Sequence, residues 1–597
     1  MNKISNLVVN IGRSFALSFR FAPILTVGLT VATIVTGVLP LYQAKVMGNI
    51  VNAVINSISS NVGLNVILWS IILYSSIWAI TGIIRSVRFY FDRRWTIKFE
   101  QGLEIAVLKK RAEIDLGHYE SPGFQNLLTR AFSRSIWPIY NLVDVQMQIF
   151  ASIAVIAISS FITTSINPLV YIIILATSIP SFIVNLKYGS ALWSIWGENS
   201  QRRRKYEHIR HHINSRTGVT QNKLAQASAR LIQMAHDFLE SFNNEQLGLD
   251  KKKVWFSVMA DLLAATGYAM SFWIITKEVV SGNESVGSMV FLISIIGQLV
   301  GSINSLLTML ANQFERNQYA NDIFTVLDTK PYIKISSNPV RLNLKSSPEI
   351  EFKNVSFKYD DRPDWILRNL NFIIKPGEKI ALVGENGAGK STLIKLLSRI
   401  YDPSEGEILI NGTPLTKIDI TEWNDYLAVL LQDYITYDFS VIESIGMGRA
   451  NIETDRARAI KSAEQSGADE FIKDYSMGYD QQLGKEFDNG IEPSKGQHQK
   501  IALARTIYRN GFIMILDEPT AAIDAVSEMK IFDQMENASG KNTLILITHR
   551  FNTTQNVDRI IVLEKGSIVE EGDHSTLVKS NGMYKKMFES QAKAFRE

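Results

Sequence analysis

The sequence predicts an α-helical region of six membrane-length segments followed by an α/β nucleotide-binding domain of the phosphate-loop class. Six apolar stretches, near 21–47, 64–88, 143–165, 168–188, 254–276 and 287–311, are each long enough to cross a bilayer, which takes about 20 helical residues. From Glu349 onward the pattern changes to short β-like runs alternating with helical ones. Within that half, Gly384-Glu385-Asn386-Gly387-Ala388-Gly389-Lys390-Ser391 follows the apolar run Ile380–Val383 and precedes a helical stretch. That is the setting of a loop whose backbone N–H groups wrap phosphates.

Composition agrees with a divided chain. At 597 residues the protein exceeds a single core, and its 46% apolar and 20% charged residues are unevenly spread. We expect residues 1–326 to form a transmembrane domain with a stalk, 327–348 a linker and 349–597 an ATPase domain. Pro331, Pro339 and Pro348, with several Ser and Asn, mark the linker. A net charge of +4 is too small to imply a nucleic-acid partner. The absence of cysteine excludes disulfides, thiolate metal sites and cysteine nucleophiles.

Loop charge orients the segments. Gly48–Asn65 and Thr163–Pro168 contain no Lys or Arg, whereas Arg85–Asp144 and Lys187–Lys253 are rich in both. The positive-inside rule therefore puts both termini, the two long loops and the ATPase in the cytoplasm of a multi-pass protein of the cell membrane. The two long loops have helical periodicity and read as spans continuing into a stalk. The run Arg202-Arg203-Arg204-Lys205 reads as a solvated or headgroup-facing stalk surface. Met1–Pro23, with Lys3, Arg13, Arg20 and no acid, fits a transit peptide and fits better a helix lying on the membrane surface.

The phosphate loop assigns chemistry to particular atoms. Lys390 can reach the β/γ oxygens of ATP, and the Ser391 hydroxyl can ligate Mg²⁺. Gly384, Asn386, Gly387, Ala388, Gly389 and the following Thr392 complete the nucleotide-contacting set. The apolar run Phe512–Leu516 reads as a buried strand ending in Asp517-Glu518. Asp517 is then placed to hold the Mg²⁺ shell, and Glu518 to orient or deprotonate the attacking water.

Further residues extend this into a resemblance that covers nearly the whole chain. Ordered along the sequence are Tyr359 in Val355-Ser356-Phe357-Lys358-Tyr359, Gln432 in Val429-Leu430-Leu431-Gln432, Ala521-Ala522-Ile523-Asp524, and His549 after Ile547-Thr548. The chain resembles an ATP-binding cassette exporter half-transporter, with six spans fused to one nucleotide-binding domain. The resemblance implies an adenine-stacking role for Tyr359 and contact of Gln432 with Mg²⁺ and with the transmembrane domain. It likewise implies a switch role for His549 at the γ-phosphate, and places Asp524 in the loop between the two ATP sites of a dimer. It also implies coupling helices around Gly117–Phe124 and Asn214–Asn222.

The signature motif departs from the family's Leu-Ser-Gly-Gly-Gln: here it is Pro493-Ser494-Lys495-Gly496-Gln497. Ser494, Gly496 and Gln497 are retained ahead of the helical run His498–Tyr508, so N–H groups at a helix start can face an anionic phosphate. Pro493 is expected to suit a first helical turn. Lys495 either attracts phosphate or obstructs the close approach that glycine allows. The family pairs each phosphate loop with a signature from a second half. A complete phosphate-loop side with an altered signature resembles one subunit of a heterodimer; a homodimer tolerating Lys495 is the other reading.

The resemblance implies ATP-driven export, by alternating access, of an amphiphilic peptide, lipid or drug. An ATP-binding regulatory subunit with little transport of its own is the alternative. The spans say less about cargo. Trp69, Tyr74, Trp78, Tyr268, Phe272, Trp273, Gln298 and Asn304 fit cavity lining and helix packing equally. Asp261 is expected near the aqueous end of its helix, and Lys45 is expected to snorkel to the headgroups.

Overall fold

The computed structural model describes residues 3–60, 64–132, 137–189, 200–359, 363–519, 540–548 and 553–594. The chain separates into two compact units: Met1–Ile114 with Pro122–Lys330, and Asp115–Ser121 with Pro331–Glu597.

The first unit is helical. Five of its described helices are long and apolar enough to cross a membrane: Pro23–Ile58, Leu64–Glu113, Trp137–Ile166, Ser228–Val280 and Val286–Leu310. The expected segment at 168–188 is also a helix, Pro168–Gly189, whose apolar part Pro168–Ser181 is shorter. Two helices greatly exceed a bilayer, with 50 residues in Leu64–Glu113 and 53 in Ser228–Val280. At 1.5 Å per residue these run about 75–80 Å, well over the thickness of a hydrocarbon core of about 30 Å.

Met1–Pro23 resolves into the helix Lys3–Phe21, whose polar stripe faces protein. Asn10, Ser14 and Ser18 are buried, while Val8, Val9 and Phe19 are exposed. Asn10 donates to Asn317 at 3.0 Å, and Arg13 forks onto both oxygens of Asp328 at 2.7 Å. The fully buried Trp95 donates its indole N–H to Ser18 at 3.0 Å. The helix thus turns its polar side chains onto protein and an apolar face outward.

The cargo candidates differ in exposure. Trp69, Trp78, Tyr268, Phe272 and Trp273 are exposed on the described unit, as are Lys45 and Asp261. Tyr74 and Asn304 are half-buried, and Gln298 donates to the Pro40 carbonyl at 3.2 Å, a helix-packing bond. The basic run at 202–205 lies on the helix Ser200–Asn214. Asn214–Asn222 leads into the helix Arg216–Leu224, capped by Ser215, whose hydroxyl accepts from the Gly218 N–H.

The second unit contains two sheets. Strands β1 (Ile350–Phe357), β2 (Leu367–Ile374), β4 (Glu405–Ile410) and β5 (Thr413–Pro414) form an antiparallel sheet in the order β2-β1-β4-β5. A six-stranded sheet runs β10-β9-β3-β8-β7-β6, from β3 (Lys379–Val383), β6 (Leu427–Leu430), β7 (Ile513–Asp517), β8 (Thr543–Ile547), β9 (Arg559–Glu564) and β10 (Ser567–Gly572). All its neighbours are parallel except β9 and β10. β3, β7 and β8 each carry a run of four consecutive apolar residues, as strands covered on both faces require.

The helix Lys390–Leu397 leaves the phosphate loop and stops at Arg399, which has φ +51°. Arg399 is 2% exposed yet satisfied: its guanidinium donates to the carbonyls of Ile418, Thr416 and Lys334 and pairs with Asp402 at 3.3 Å. A buried charge is tolerated only with such partners. The Lys334 contact also ties down the start of the stretch read as a linker. Further along, Val340 bridges Ile418, Leu342 and Asn343 donate to Glu422, and Ser347 donates to the Phe512 carbonyl.

Candidate functional site

Parallel strands open their loops at one sheet edge, and here three strand ends meet. The phosphate loop follows β3; Asp517 closes β7, and Gln432 follows β6. Because β7 lies between β6 and β8, Glu518 emerges between the strand ends that lead to Gln432 and to Thr548.

The loop itself needs its glycines. Gly387 and Gly389 have φ +81° and +103°, conformations that L side chains rarely adopt. A Cβ on Gly389 would also lie 2.5 Å from Leu367 Cδ2, and one on Gly384 would lie 2.3 Å from the Leu563 carbonyl oxygen. Lys390 Nζ donates to the Gly384 and Glu385 carbonyls at 2.8 and 2.9 Å, spanning its own loop. Burial lowers the Lys390 pKa below its usual range, opposed by the charges of Glu518 and Asp517. Phosphate oxygens entering this cradle would supply the anionic partner that the carbonyls only approximate.

Ser391 Oγ donates to Asp517 Oδ2 at 3.2 Å. The pair presents two hard oxygens at the end of the loop, the donor type that Mg²⁺ takes, so the residues present fit that ion. Such an ion would neutralise charge on the β/γ-phosphates. Burial raises the Asp517 pKa, with the Ser391 hydrogen bond opposing and Glu518 reinforcing. A carboxylate desolvated in this way gains most from a nearby cation.

Glu518 has φ +48°, left-handed for a residue other than glycine. Its N–H donates to the Ile547 carbonyl at 2.9 Å, and its Oε2 accepts from Gln432 Nε2 at 2.9 Å. A strained acid held at both backbone and side chain is a device found at reactive centres. Gln499, which nothing in the sequence singles out, donates to the Glu518 carbonyl at 3.4 Å and joins the signature helix to this strand end.

Tyr359 follows β1, its hydroxyl paired with Thr392 at 3.2 Å. Its ring meets Phe357 and Tyr401 edge-on, at 5.0 and 5.4 Å between centroids. The Tyr359–Thr392 bond connects the aromatic to the first turn of the phosphate-loop helix.

The signature forms a regular helix start. The helix is Lys495–Arg509, three residues longer at its beginning than the sequence suggests. Ser494 is the N-cap and exchanges bonds reciprocally with Gln497, at 2.8 and 3.3 Å. Pro493 therefore precedes the cap, buried as an apolar anchor, and does not sit in the first helical turn as expected. Lys495 is the first helical residue with ordinary negative φ, so its backbone requires no glycine. Ser494, Gly496 and Gln497 lie together at this helix start, whereas Lys390, Ser391, Gln432, Asp517 and Glu518 gather at the sheet edge. His549 and Ala521–Asp524 lie outside the described residues.

A phosphate loop facing Asp517 and Glu518, with a glutamine on the acid and a separately capped signature helix, defines an ATP-hydrolysing cassette joined to membrane-type helices. The chain matches the ABC transporter family over residues 367–521. It is 27% identical to the subtilin transport ATP-binding protein SpaT of Bacillus subtilis and 24% to the nisin transport ATP-binding protein NisT of Lactococcus lactis. Each alignment covers 97% of this chain and 94% of the relative. An ATP-dependent lipid A-core flippase of Alcanivorax borkumensis is 32% identical over 59% of each chain. The fold aligns with a bacterial Atm1-family ABC exporter with ATP bound at a TM-score of 0.82 and 22% identity, covering 94% of this chain and 98% of that one. Residues 367–521 thus form an ABC transporter domain, fused here to a multi-pass helical unit, and the relatives that align over nearly the whole chain are transport ATP-binding proteins, consistent with ATPase and translocase activity.

Proposed function

We propose that this chain is one half of a cell-membrane exporter that moves an amphiphilic peptide, lipid or drug outward at the expense of ATP. The observation that carries this reading is the meeting of Lys390, Ser391, Asp517, Glu518 and Gln432 at one sheet edge. Mg²⁺ bound at Ser391, Asp517 and Gln432 would offset phosphate charge, and Glu518 would take the proton of the attacking water. Glu518 sits at the end of a rigid strand, so its carboxylate is held without reorganisation cost. Tyr359 would stack on adenine, with His549 and Asp524 completing the site. Ser494, Gly496 and Gln497 would present helix-start N–H groups to the γ-phosphate held by a second half-transporter.

The basic loops support a cytoplasmic ATPase. Relatives named for subtilin, nisin, lipid A-core and leukotoxin transport support an amphiphilic cargo. ATP would close the two nucleotide domains and turn the spans outward, and hydrolysis would release them. We favour a heterodimer, because the phosphate-loop side is complete while the signature carries Lys495. The test is to purify the chain alone in lipid nanodiscs and measure oligomeric mass, ATP hydrolysis and transport. A stable dimer that hydrolyses ATP and transports would overturn the heterodimer.

A further inference from the structure

The second unit includes a short segment far away in sequence, Asp115–Ser121, with the helix Leu116–Glu120 at its centre. Asp115, His118 and Glu120 each hold it to the rest of the unit. Asp115 accepts from the Ile333 N–H at 3.1 Å, and His118 stacks on Tyr332 with ring centroids 3.9 Å apart. Glu120 accepts from Lys395 Nζ at 2.9 Å through one oxygen and from the Tyr401 hydroxyl through the other.

Both partners of Glu120 surround the adenine candidate. Lys395 Nζ stands 5.5 Å from the Tyr359 ring centroid and 5.7 Å from that of Tyr401. The Tyr401 ring meets Tyr359 at 86°, 5.4 Å between centroids. Lys395 also lies one turn beyond Ser391 on the helix Lys390–Leu397, whose Thr392 pairs with the Tyr359 hydroxyl. Burial alone would lower the Lys395 pKa, but Glu120 and Tyr359 outweigh it and keep the ammonium charged. Rings attract a cation without fixing its position, and a charge-assisted bond to a carboxylate adds the directional hold.

We propose that Glu120 is a positioning residue for ATP: its carboxylate holds Lys395 and Tyr401 around Tyr359, so that nucleotide affinity depends on Glu120 through that ring. The proposal rests on the reading of Tyr359 as the adenine-stacking residue. It gives the segment Asp115–Ser121 a direct means of sensing and tuning the nucleotide.

The test is a double-mutant cycle on the full chain in nanodiscs, in a Glu518→Gln background, reading equilibrium binding of radiolabelled ATP. Glu120→Gln keeps the shape and removes the charge. It is expected to weaken ATP binding about three- to tenfold, the size of one aromatic-cation contact, and to do nothing further once Tyr359→Ala is present. Lys395→Met should reproduce the loss and Lys395→Arg should restore most of the affinity. Unchanged affinity in Glu120→Gln, or an equal loss with and without the Tyr359 ring, would overturn the Glu120 role alone. If Tyr359→Ala itself binds ATP normally, the adenine assignment fails and this proposal fails with it.

Discussion

Gln432 donates its amide to the Glu518 carboxylate at 2.9 Å, so the residue proposed to sense Mg²⁺ already grips the proposed base. The acid has a left-handed backbone, so its side chain leaves the strand end in a direction that the Gln432 amide meets. Gln432→Ala should therefore leave ATP affinity within about twofold while lowering the single-turnover hydrolysis rate about 10- to 100-fold, the cost of a misplaced catalytic group. Rapid-quench hydrolysis alongside ATP binding separates the two effects; a rate equal to the parent's would show that the contact has no catalytic role.

Asp517 supplies a pH signature. Burial raises its pKa above the ordinary 3.8, so the nucleotide-free fold disfavours the ionised form. A raised carboxylate contributes stability below its unfolded pKa, and that contribution is lost as pH rises through the folded value. Asp517→Asn should therefore raise the melting temperature of the nucleotide-free protein at neutral pH, with the gain shrinking in acid, while abolishing Mg²⁺-dependent hydrolysis. Differential scanning fluorimetry across the acid range reads this directly; a destabilised variant at neutral pH would contradict it.

The signature helix separates capping from phosphate contact. Ser494→Ala removes the reciprocal bonds with Gln497 and should cost about 1 kcal/mol of stability. Lys495→Gly should leave the cap intact, with a stability change below about 1 kcal/mol at this first, exposed helical position. Denaturation of the two variants checks the pair. A large loss in Lys495→Gly would mean that the lysine, and not Ser494, holds the helix start.

The phosphate loop, the strand ending at Asp517-Glu518 and the signature were all legible because local sequence fixes them. Glycines at φ +81° and +103°, continuous apolar runs and a Ser-x-x-Gln cap each leave a short-range pattern. Contacts between distant segments left none. Nothing in Leu116–Glu120 announces that its acid pairs with Lys395, 275 residues away, or that Gln499 reaches the Glu518 carbonyl. Pro493 was misplaced for a local reason: its residue type suits either side of a cap, and only the Ser494–Gln497 exchange decides which. Gln298 illustrates the ambiguity of polar groups in apolar helices, since a packing bond to Pro40 and a cargo contact require the same residue type.

The most direct test of an ATP-hydrolysing exporter half is Mg²⁺-dependent ATP turnover by the full chain, extracted with its native membrane partners into nanodiscs, beside the Glu518→Gln variant. The account predicts steady hydrolysis by the parent and a loss of at least about 100-fold in the variant, with ATP still bound. Equal turnover by the two, or none by the parent despite bound ATP, would contradict it.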